Sequence, residues 1–396
     1  MYKVIFSLLV FSFIVSTRYS IGQMVQKEFF VKEKMGIVAN QYEKLFVAVK
    51  DSFKSPRTFD HGQIRLVSSN DWTSGFFAGN LWFLYEYTGD TKWRQAAVMS
   101  TEKLEKEKNN THTHDLGFML YCSYGNGFRL TDNPKYKDVL LQGAKSLSTR
   151  YNEKVGCIKS WESRGEWQFP VIIDNMMNLE FLFWATKATG DSSFYNIAVS
   201  HADTTMKYHF RPDFSSYHVV NYDSITGKVI SRQTAQGAAD SSAWARGQSW
   251  GLYGYTLMYR ETGKKKYLEQ AQQIADYILK RLPTDFVTYW DYDAPGIPNE
   301  PRDASAAAIA SSALFELSTY VDKALAKTYY SVAEKILLSI SSPEYLANSG
   351  ENGLFLLKHS VGHKPAKSEM DVPLIYADYY YIEALLRYNK SLSARP

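Results

Sequence analysis

Two aspartates each lie at the entrance to a strongly apolar stretch. Asp115 directly precedes the run LGFML (116–120), and Asp174 lies within VIIDNMM (171–177). An aspartate at a helix start commonly binds the free backbone N–H groups there. Two carboxyls that enter an apolar interior also suit general acid–base catalysis, because desolvation raises the pKa of a carboxyl until it can donate a proton near neutral pH. Capping is the usual explanation for either aspartate alone, whereas the pair favours catalysis.

Four tryptophans and one arginine lie where they could meet a ligand. The tryptophans are beside loops or helix starts, where their rings could stack on sugars, although a buried tryptophan usually belongs to the core. They are Trp72, Trp161, Trp244 and Trp250. Arg246 enters a buried helix and is costly to bury without an anion, so two partners are open: a structural aspartate or a ligand carboxylate.

Motifs for metal or cofactor chemistry are absent from the sequence. It contains no phosphate-binding glycine loop, dinucleotide fingerprint, HExxH, CxxC or GxSxG. The run THTHD (111–115) holds three potential metal ligands in four residues. Their alternate spacing sends them apart on a helix, and no second cluster completes a tetrahedron. We therefore expect neither a metal nor a cofactor.

The elements that must position these side chains are mainly helices. Apolar residues recur with helical period over 267–282 and 325–340, which predicts amphipathic helices, whereas 176–184, 250–259, 304–317 and 372–386 are apolar nearly all round. Alternating amphipathic and buried helices predict two concentric layers. A similar turn, with Gly or Asn suited to a left-handed cap, recurs at 87–90, 130–134, 188–191 and 261–263. The pattern predicts an all-α fold of six helical hairpins closed into an (α/α)6 barrel, with an open helical array as the alternative.

Three long connections carry further candidate residues. Residues 211–245 lack helical period and contain a predicted short β-hairpin around DSITG (223–227). The stretch 158–170 carries Trp161, Arg164 and Trp167, and 348–370 carries Lys358, Ser360, His363 and Lys364. This last group could bind a sulfate or form a solvated basic loop.

Composition and charge narrow the class of protein. The 396 residues include 15% aromatic side chains, and 45 basic against 41 acidic groups give a net charge of +4. So small a charge argues against nucleic acid as a partner. Residues 1–22 have the basic start, apolar run and small residues of a signal peptide, with an uncleaved anchor as the alternative. We expect export to the periplasm or the medium, no membrane span in the mature chain, and a single domain over 23–396.

The bonding state of the two cysteines has two possible forms. Cys122 and Cys157 could form one disulfide in an exported protein, or remain two buried thiols.

The chain resembles a known family, the unsaturated glucuronyl hydrolases of glycoside hydrolase family 88. The resemblance covers almost the whole mature chain. It depends on five motifs in order: NDWTSGFFAG (70–79), HDLGF (114–118), DNMMN (174–178), WARGQSWG (244–251) and SEMDVPL (368–374). It implies an (α/α)6 barrel and a substrate with a 4,5-unsaturated uronic acid at its non-reducing end. The implied reaction is hydration of the vinyl ether, after which the glycosidic bond breaks.

The resemblance also implies roles for individual residues. Asp174 matches the general acid/base, and Asp115 matches the second essential carboxylate. Residues implied around the uronate and the reacting carbons are His218, Gln236, Trp244 and Arg246; the implied aromatic walls are Trp72, Trp161 and Trp250; the implied polar shell is His114 and Asn175. Ser360 and Lys364 are the candidate ligands for a sulfate on the next sugar, as in glycosaminoglycan or ulvan fragments.

Two alternatives remain at this stage. Unsaturated rhamnogalacturonyl hydrolases share the barrel and the hydration chemistry, whereas a non-catalytic carbohydrate-binding protein could share the scaffold alone. The presence of both Asp115 and Asp174 argues against the second.

Overall fold

Helices form most of the chain in the computed structural model, which describes the backbone of residues 2–393 and the side chains of residues 25–393. In chain order the α-helices of this part are α1 (Tyr2–Val49), α2 (Ser74–Thr88), α3 (Thr91–Glu102), α4 (Asn126–Thr131), α5 (Pro134–Ser148), α6 (Leu179–Thr189), α7 (Ser192–Tyr208), α8 (Ala245–Thr262), α9 (Lys265–Arg281), α10 (Ala304–Leu317), α11 (Lys323–Ile340) and α12 (Ile375–Ser393). A π-helix (Gly117–Gly125) leads into α4, a 3-10 helix (Ile173–Asn178) leads into α6, and short 3-10 turns cover Glu105–Asn109 and Asn352–Leu354.

Six buried helical segments close into a ring. The inner segments are α2, the π-helix with α4, the 3-10 helix with α6, α8, α10 and α12. Each packs on the next, and α12 returns to pack on α2. The amphipathic helices α3, α5, α7, α9 and α11 each follow an inner segment and cover it from outside, while α1 packs on α12. This arrangement confirms the predicted (α/α)6 barrel.

Helix ends follow the predicted turn chemistry with one exception. Gly89, Gly190 and Gly263 have left-handed backbones and end α2, α6 and α8. At the second turn the left-handed residue is Asp132, with φ of 51°, whereas Asn133 caps α5 through its side chain. The sequence prediction of Gly or Asn in the left-handed position is therefore wrong there, because Asn133 is needed to bind the first free N–H group of the next helix.

Four small antiparallel sheets lie in the connections. They pair β1 (Ser55–Asp60) with β2 (Gln63–Val67), β3 (Tyr151–Asn152) with β4 (Cys157–Ile158), β5 (Phe169–Ile172) with β6 (Val219–Tyr222) and β7 (Val229–Gln233), and β8 (Ser360–His363) with β9 (Ser368–Val372). The β6–β7 hairpin confirms the predicted one. The other strands were not predicted, because they are short and lack a clear alternation of apolar and polar residues.

The structure bears on the cysteines and on the predicted N-terminal segment. Cys122 and Cys157 are both buried and unpaired, so they are two thiols and not a disulfide. Among the described residues, no helix is long and apolar enough to cross a membrane. The predicted signal peptide, residues 1–22, precedes the residues whose side chains the structure describes.

Close backbone contacts bring the inner helices together at one mouth of the barrel. A Cβ atom added to Gly75 would lie 2.2 Å from the carbonyl oxygen of Phe118, and one added to Gly117 would lie 2.8 Å from the Cα of Asn178. Only glycine allows helix backbones to approach so closely. The starts of three inner segments, which follow Trp72, Asp115 and Ile172, therefore converge.

Gly117→Ala tests this convergence. Its added methyl group must push the Asn178 backbone away, so we expect a loss of roughly 1–3 kcal/mol in the free energy of unfolding, measured by chemical denaturation. Gly36→Ala is the matched control, because Gly36 lies in α1 with no neighbour within 4 Å of its added Cβ. Equal effects of the two substitutions would contradict the proposed contact.

Candidate active site

A cleft of about 350 Å³ opens where the N-terminal ends of the inner helices converge. Both carboxyls predicted from the sequence, Asp115 and Asp174, line it. Five of the other predicted site residues line it as well: Trp72, His114, Trp161, Gln236 and Arg246. The closure of the ring thus brings together these seven predicted residues, which span 174 positions of the chain from Trp72 to Arg246.

Asp115 is largely buried, with a side chain 14% exposed, and lies at the start of the π-helix without capping it. Its Oδ2 accepts a 2.9 Å hydrogen bond from the Thr113 hydroxyl, and its Oδ1 lies 3.2 Å from His114 Nε2. Burial raises the pKa of Asp115 to about 7, and the Thr113 hydrogen bond lowers it in part. The nearby Asp71 carboxylate raises this pKa further, whereas Arg150 lowers it.

Asp174 lies in the first turn of the 3-10 helix and is also buried. Among the described residues, no group makes a hydrogen bond to its Oδ2. Burial raises the pKa of Asp174 to about 7; the positive charge of Arg246 lowers it and the Asp115 carboxylate raises it. A buried carboxyl with a vacant oxygen and a raised pKa is suited to exchange a proton with a bound molecule.

The His218 imidazole faces this vacant oxygen, although it does not line the cleft. Its Nδ1 accepts the backbone N–H groups of Ala235 and Gln236 at 3.1 Å each, which leaves the ring proton on Nε2. Nε2 lies 3.7 Å from Asp174 Oδ2. Burial first, and then the charge of Arg246, lower the pKa of His218 well below 6.5, so the ring is neutral and directs an N–H toward Asp174.

His114 and Asn175 form a second polar support. Burial lowers the pKa of His114 to about 3, and the charge of Arg150 lowers it further, whereas the nearby Asn175 side chain raises it. The Asn175 amide donates to the Ile158 carbonyl at 2.9 Å. His114 is therefore a neutral neighbour of Asp115 and not a competing cation.

Aromatic rings form the walls and the floor. Trp72 packs on Tyr376 with ring centroids 4.8 Å apart, and Trp161 stacks on Trp167 at 5.2 Å and 28°. Trp244 and Trp250 are buried behind this surface and do not line the cleft. Trp244 instead packs on the His218 ring at 4.6 Å, so these two tryptophans support the site from within.

Arg246 shows which of its two predicted partners is present. Its guanidinium pairs with Asp303 at 3.1 Å and donates to the carbonyls of Val361 and Gly362 at 2.5 and 2.7 Å. It lies over the Trp244 ring, 4.4 Å from the centroid. The structural aspartate is therefore in place. Arg246 also lines the cleft and adds a positive charge beside Asp174, and its buried Nε has no hydrogen-bond partner among the described residues, so a ligand carboxylate stays open as a second partner.

Two predicted sulfate ligands are placed differently. Ser360 is fully buried and does not line the cleft. The Lys364 ammonium pairs with Glu300, whose other partner is the Trp290 indole N–H at 2.7 Å. Neither Ser360 nor Lys364 lines the cleft.

Four residues of one wall were not predicted from the sequence. They are Arg57, Arg65, Glu369 and Tyr376, and all of them line the cleft. Glu369 lies within a family motif quoted above, but its partners Arg57 and Arg65 lie in the unpredicted β1–β2 hairpin. Arginines in so short a segment give no pattern that could have identified them.

Among the described residues, no group of three His, Cys, Asp or Glu side chains is placed to hold a metal ion.

A larger cavity, of about 650 Å³, lies between the C-terminal halves of the inner helices. Its carboxylates are already paired: Glu86 binds Arg129 at 2.6 Å, Glu180 binds Arg260 at 2.5 Å, and Glu383 accepts the Tyr253 hydroxyl at 3.0 Å and lies 3.7 Å from Arg387. Acid–base chemistry therefore belongs to the smaller cleft.

An (α/α)6 barrel with two carboxyls of raised pKa in an aromatic cleft is typical of carbohydrate-active enzymes of the glycosidase class. The family model of Glycosyl Hydrolase Family 88 matches residues 47–390. The chain belongs to this family, as the five motifs indicated.

Individual relatives agree with this assignment. An unsaturated glucuronyl hydrolase of Formosa agariphila is 48% identical over 354 residues, 88% of each chain. An unsaturated chondroitin disaccharide hydrolase of Streptococcus pyogenes is 34% identical over 86% of each chain. The crystal structure of an unsaturated glucuronyl hydrolase specific for heparin superposes with a TM-score of 0.89 at 48% identity, covering 92% of this chain and 98% of that one.

Asp174→Asn tests the burial of the carboxyl through stability. A carboxyl with a pKa of about 7 in the folded state and about 3.8 in the unfolded state favours folding at low pH. That contribution is lost as pH rises from about 4 to about 7, and asparagine does not lose it. We expect the variant to gain roughly 2–4 kcal/mol over the wild type at pH 8 compared with pH 4, measured by urea denaturation.

Asp138→Asn, on the exposed face of α5, is the control and should show no such dependence. A constant difference between Asp174→Asn and the wild type across this range would contradict the assignment.

Proposed function

We propose that the protein removes a 4,5-unsaturated uronic acid from the non-reducing end of oligosaccharides released by polysaccharide lyases. The observation that carries the proposal is the pair of buried carboxyls, Asp115 and Asp174, in one cleft, with one Asp174 oxygen unpartnered. Family membership and relatives that carry this activity in their names support it.

The reaction is a hydration. Protonated Asp174 gives its proton to C4 of the double bond, and the positive charge that develops at C5 is shared with the ring oxygen. A water molecule adds to C5 and returns a proton to the Asp174 carboxylate. The hemiketal then opens to a ketone, the glycosidic bond breaks, and a 4-deoxy-5-keto uronate and a saturated sugar leave, with one water consumed.

The surrounding charges suit this sequence. An ionised Asp115 stabilises the oxocarbenium-like charge, because the cleft is buried and a charge acts strongly there. The neutral His218 N–H faces Asp174 and favours its carboxylate after the proton has left. Arg246 opposes the raised pKa of Asp174, so that the proton can be released.

The substrate class is proposed to be acidic, of the glycosaminoglycan or ulvan type. Two guanidiniums at the cleft support this: Arg65, whose side chain is 54% exposed and has one 3.3 Å contact with Glu369, and Arg164, which is exposed. Relatives named for heparin and for chondroitin point to the same class. Lys364 can reach a sulfate only by leaving Glu300.

Export to the periplasm or the medium is part of the proposal. Its support is the basic start, the apolar run and the small residues within positions 1–22. We propose no nucleic acid partner, since the net charge is only +4.

Asp174→Asn should abolish turnover. Asparagine keeps the shape but cannot donate the proton, so we expect kcat to fall at least about 100-fold. The measurement is loss of the ultraviolet absorbance of the double bond in unsaturated disaccharides from chondroitin, hyaluronan, heparin, ulvan and gellan. Asp138→Asn is again the control and should keep full activity. Near-native turnover by Asp174→Asn would contradict the assignment, and binding without consumption by the wild type would indicate a carbohydrate-binding protein.

The pH dependence of kcat/KM provides a second test. Asp174 must be protonated to begin the reaction, and its pKa is about 7. We expect kcat/KM to fall by about tenfold per pH unit above neutrality. A flat profile between pH 6 and 9 would show that no carboxyl proton of this pKa is needed.

A further inference from the structure

Arg57 links two carboxylates at the wall of the cleft. Its Nη1 lies 3.1 and 2.8 Å from the two Asp71 oxygens, while its Nε and Nη2 bind the Glu369 oxygens at 2.5 and 2.8 Å. Asp71 directly precedes Trp72, and Glu369 belongs to β9. Neither acid acts in the reaction proposed above, yet both lie in family motifs.

Packing brings Asp71 close to Asp115. Gly75, four residues after Asp71, lets the start of α2 contact the Phe118 carbonyl, three residues after Asp115. The ring of Trp72 lies 5.5 Å from that of Phe118. Two helix starts in such close contact bring the carboxyls that precede them near each other, and the Asp71 charge raises the pKa of Asp115.

We propose that Asp71 and Arg57 are positioning residues that set the net charge facing Asp115, with Asp71 favouring its protonated form and Arg57 opposing that effect. The pair decides how much of Asp115 is ionised when the oxocarbenium-like charge forms. This inference rests on the proposed function, in which Asp115 acts as the ionised partner of Asp174.

The other groups around Asp115 do not duplicate this role. On its own segment His114 is neutral, with a pKa of about 3. Arg150, two residues after the end of α5, lowers the pKa of Asp115, and the Asp174 carboxyl lies on the neighbouring 3-10 helix, where Asp115 raises its pKa. Arg150 is held by the carbonyls of Thr111 and Lys159, so its position does not depend on Arg57.

Arg57 keeps its charge throughout the relevant pH range. The hydrogen bonds and charges of Glu369, together with Asp71, raise its pKa above the usual value despite burial. Arg57 does not face Asp115 directly and acts by compensating Asp71. The neighbouring Arg65 contacts Glu369 at 3.3 Å and makes no hydrogen bond to Asp71. Both arginines of the β1–β2 hairpin contact Glu369, but only Arg57 binds Asp71. Comparing substitutions of the two therefore separates the effect of Asp71 from the effect of the contact between the hairpin and Glu369.

Substitutions of opposite sign test the proposal. Asp71→Asn keeps the acceptor oxygen that binds the Thr73 N–H and hydroxyl but removes the charge, so the pKa of Asp115 should fall by roughly 0.5–1 pH unit. Arg57→Gln leaves Asp71 uncompensated, so the same pKa should rise by a similar amount. Arg57→Lys keeps the charge and should restore most of the wild-type value.

Two measurements report the shift. One is the pH profile of kcat/KM on the disaccharide that the wild type consumes fastest. The other is a carbon-13 NMR titration of aspartate carboxyls, with the Asp115 signal assigned by its loss in Asp115→Asn, which needs no substrate. Arg65→Gln is the matched control and should shift the Asp115 titration by less than about 0.2 pH units, since it leaves the Asp71 pair intact.

The outcomes are distinct. Opposite shifts for Asp71→Asn and Arg57→Gln, with rescue by Arg57→Lys, support the proposal. Shifts in the same direction, no shift, or an equal shift for Arg65→Gln would overturn it. Failure of the wild type to consume any unsaturated disaccharide would overturn the proposed function instead, and the NMR titration would still decide the interaction of Asp71 with Asp115.

Discussion

Burial of two carboxyls at one mouth of the barrel is the constraint on which the site depends. Removing a carboxylate from water costs several kcal/mol unless other groups compensate. Here the compensation is partial, because Asp115 has Thr113 while one Asp174 oxygen has no hydrogen-bond partner in the described chain. The pKa of each rises to about 7 as a result. The same desolvation lets Asp174 donate a proton near neutral pH, whereas Asp115 acts in its ionised form.

The supporting residues limit this cost without removing it. Arg246 brings a positive charge to Asp174, but Asp303 and two backbone carbonyls hold it in place. His218 is kept neutral and oriented by two backbone N–H groups. Charges that could neutralise the catalytic pair are thus themselves bound to other groups. The site remains protonated enough to donate and polar enough to stabilise a developing cation.

Aromatic side chains have two separate tasks in this barrel. Trp72, Trp161 and Tyr376 line the cleft, where flat rings suit sugar binding. Trp250 and Phe118 are buried in the core behind this surface, with ring centroids 5.3 Å apart. The high aromatic content of the chain serves both the core between the two helical layers and the ligand surface, and composition alone could not divide them.

Helical periodicity, turn residues and five motifs were sufficient to predict the barrel, its hairpins and the two carboxyls. These signals are local: a period of 3.6 residues, a left-handed cap and an acid before an apolar run depend on neighbours in the chain. Long-range contacts decided what the sequence left open. Arg246 pairs with Asp303, 57 positions away, and Lys364 pairs with Glu300, 64 positions away, while Ser360 is buried by the fold. The wall formed by Arg57 and Glu369 joins residues 312 positions apart. Only the closure of the ring decides such contacts, because it sets which charged side chains share a low-dielectric cleft. A linear sequence does not show how far apart two side chains lie in space.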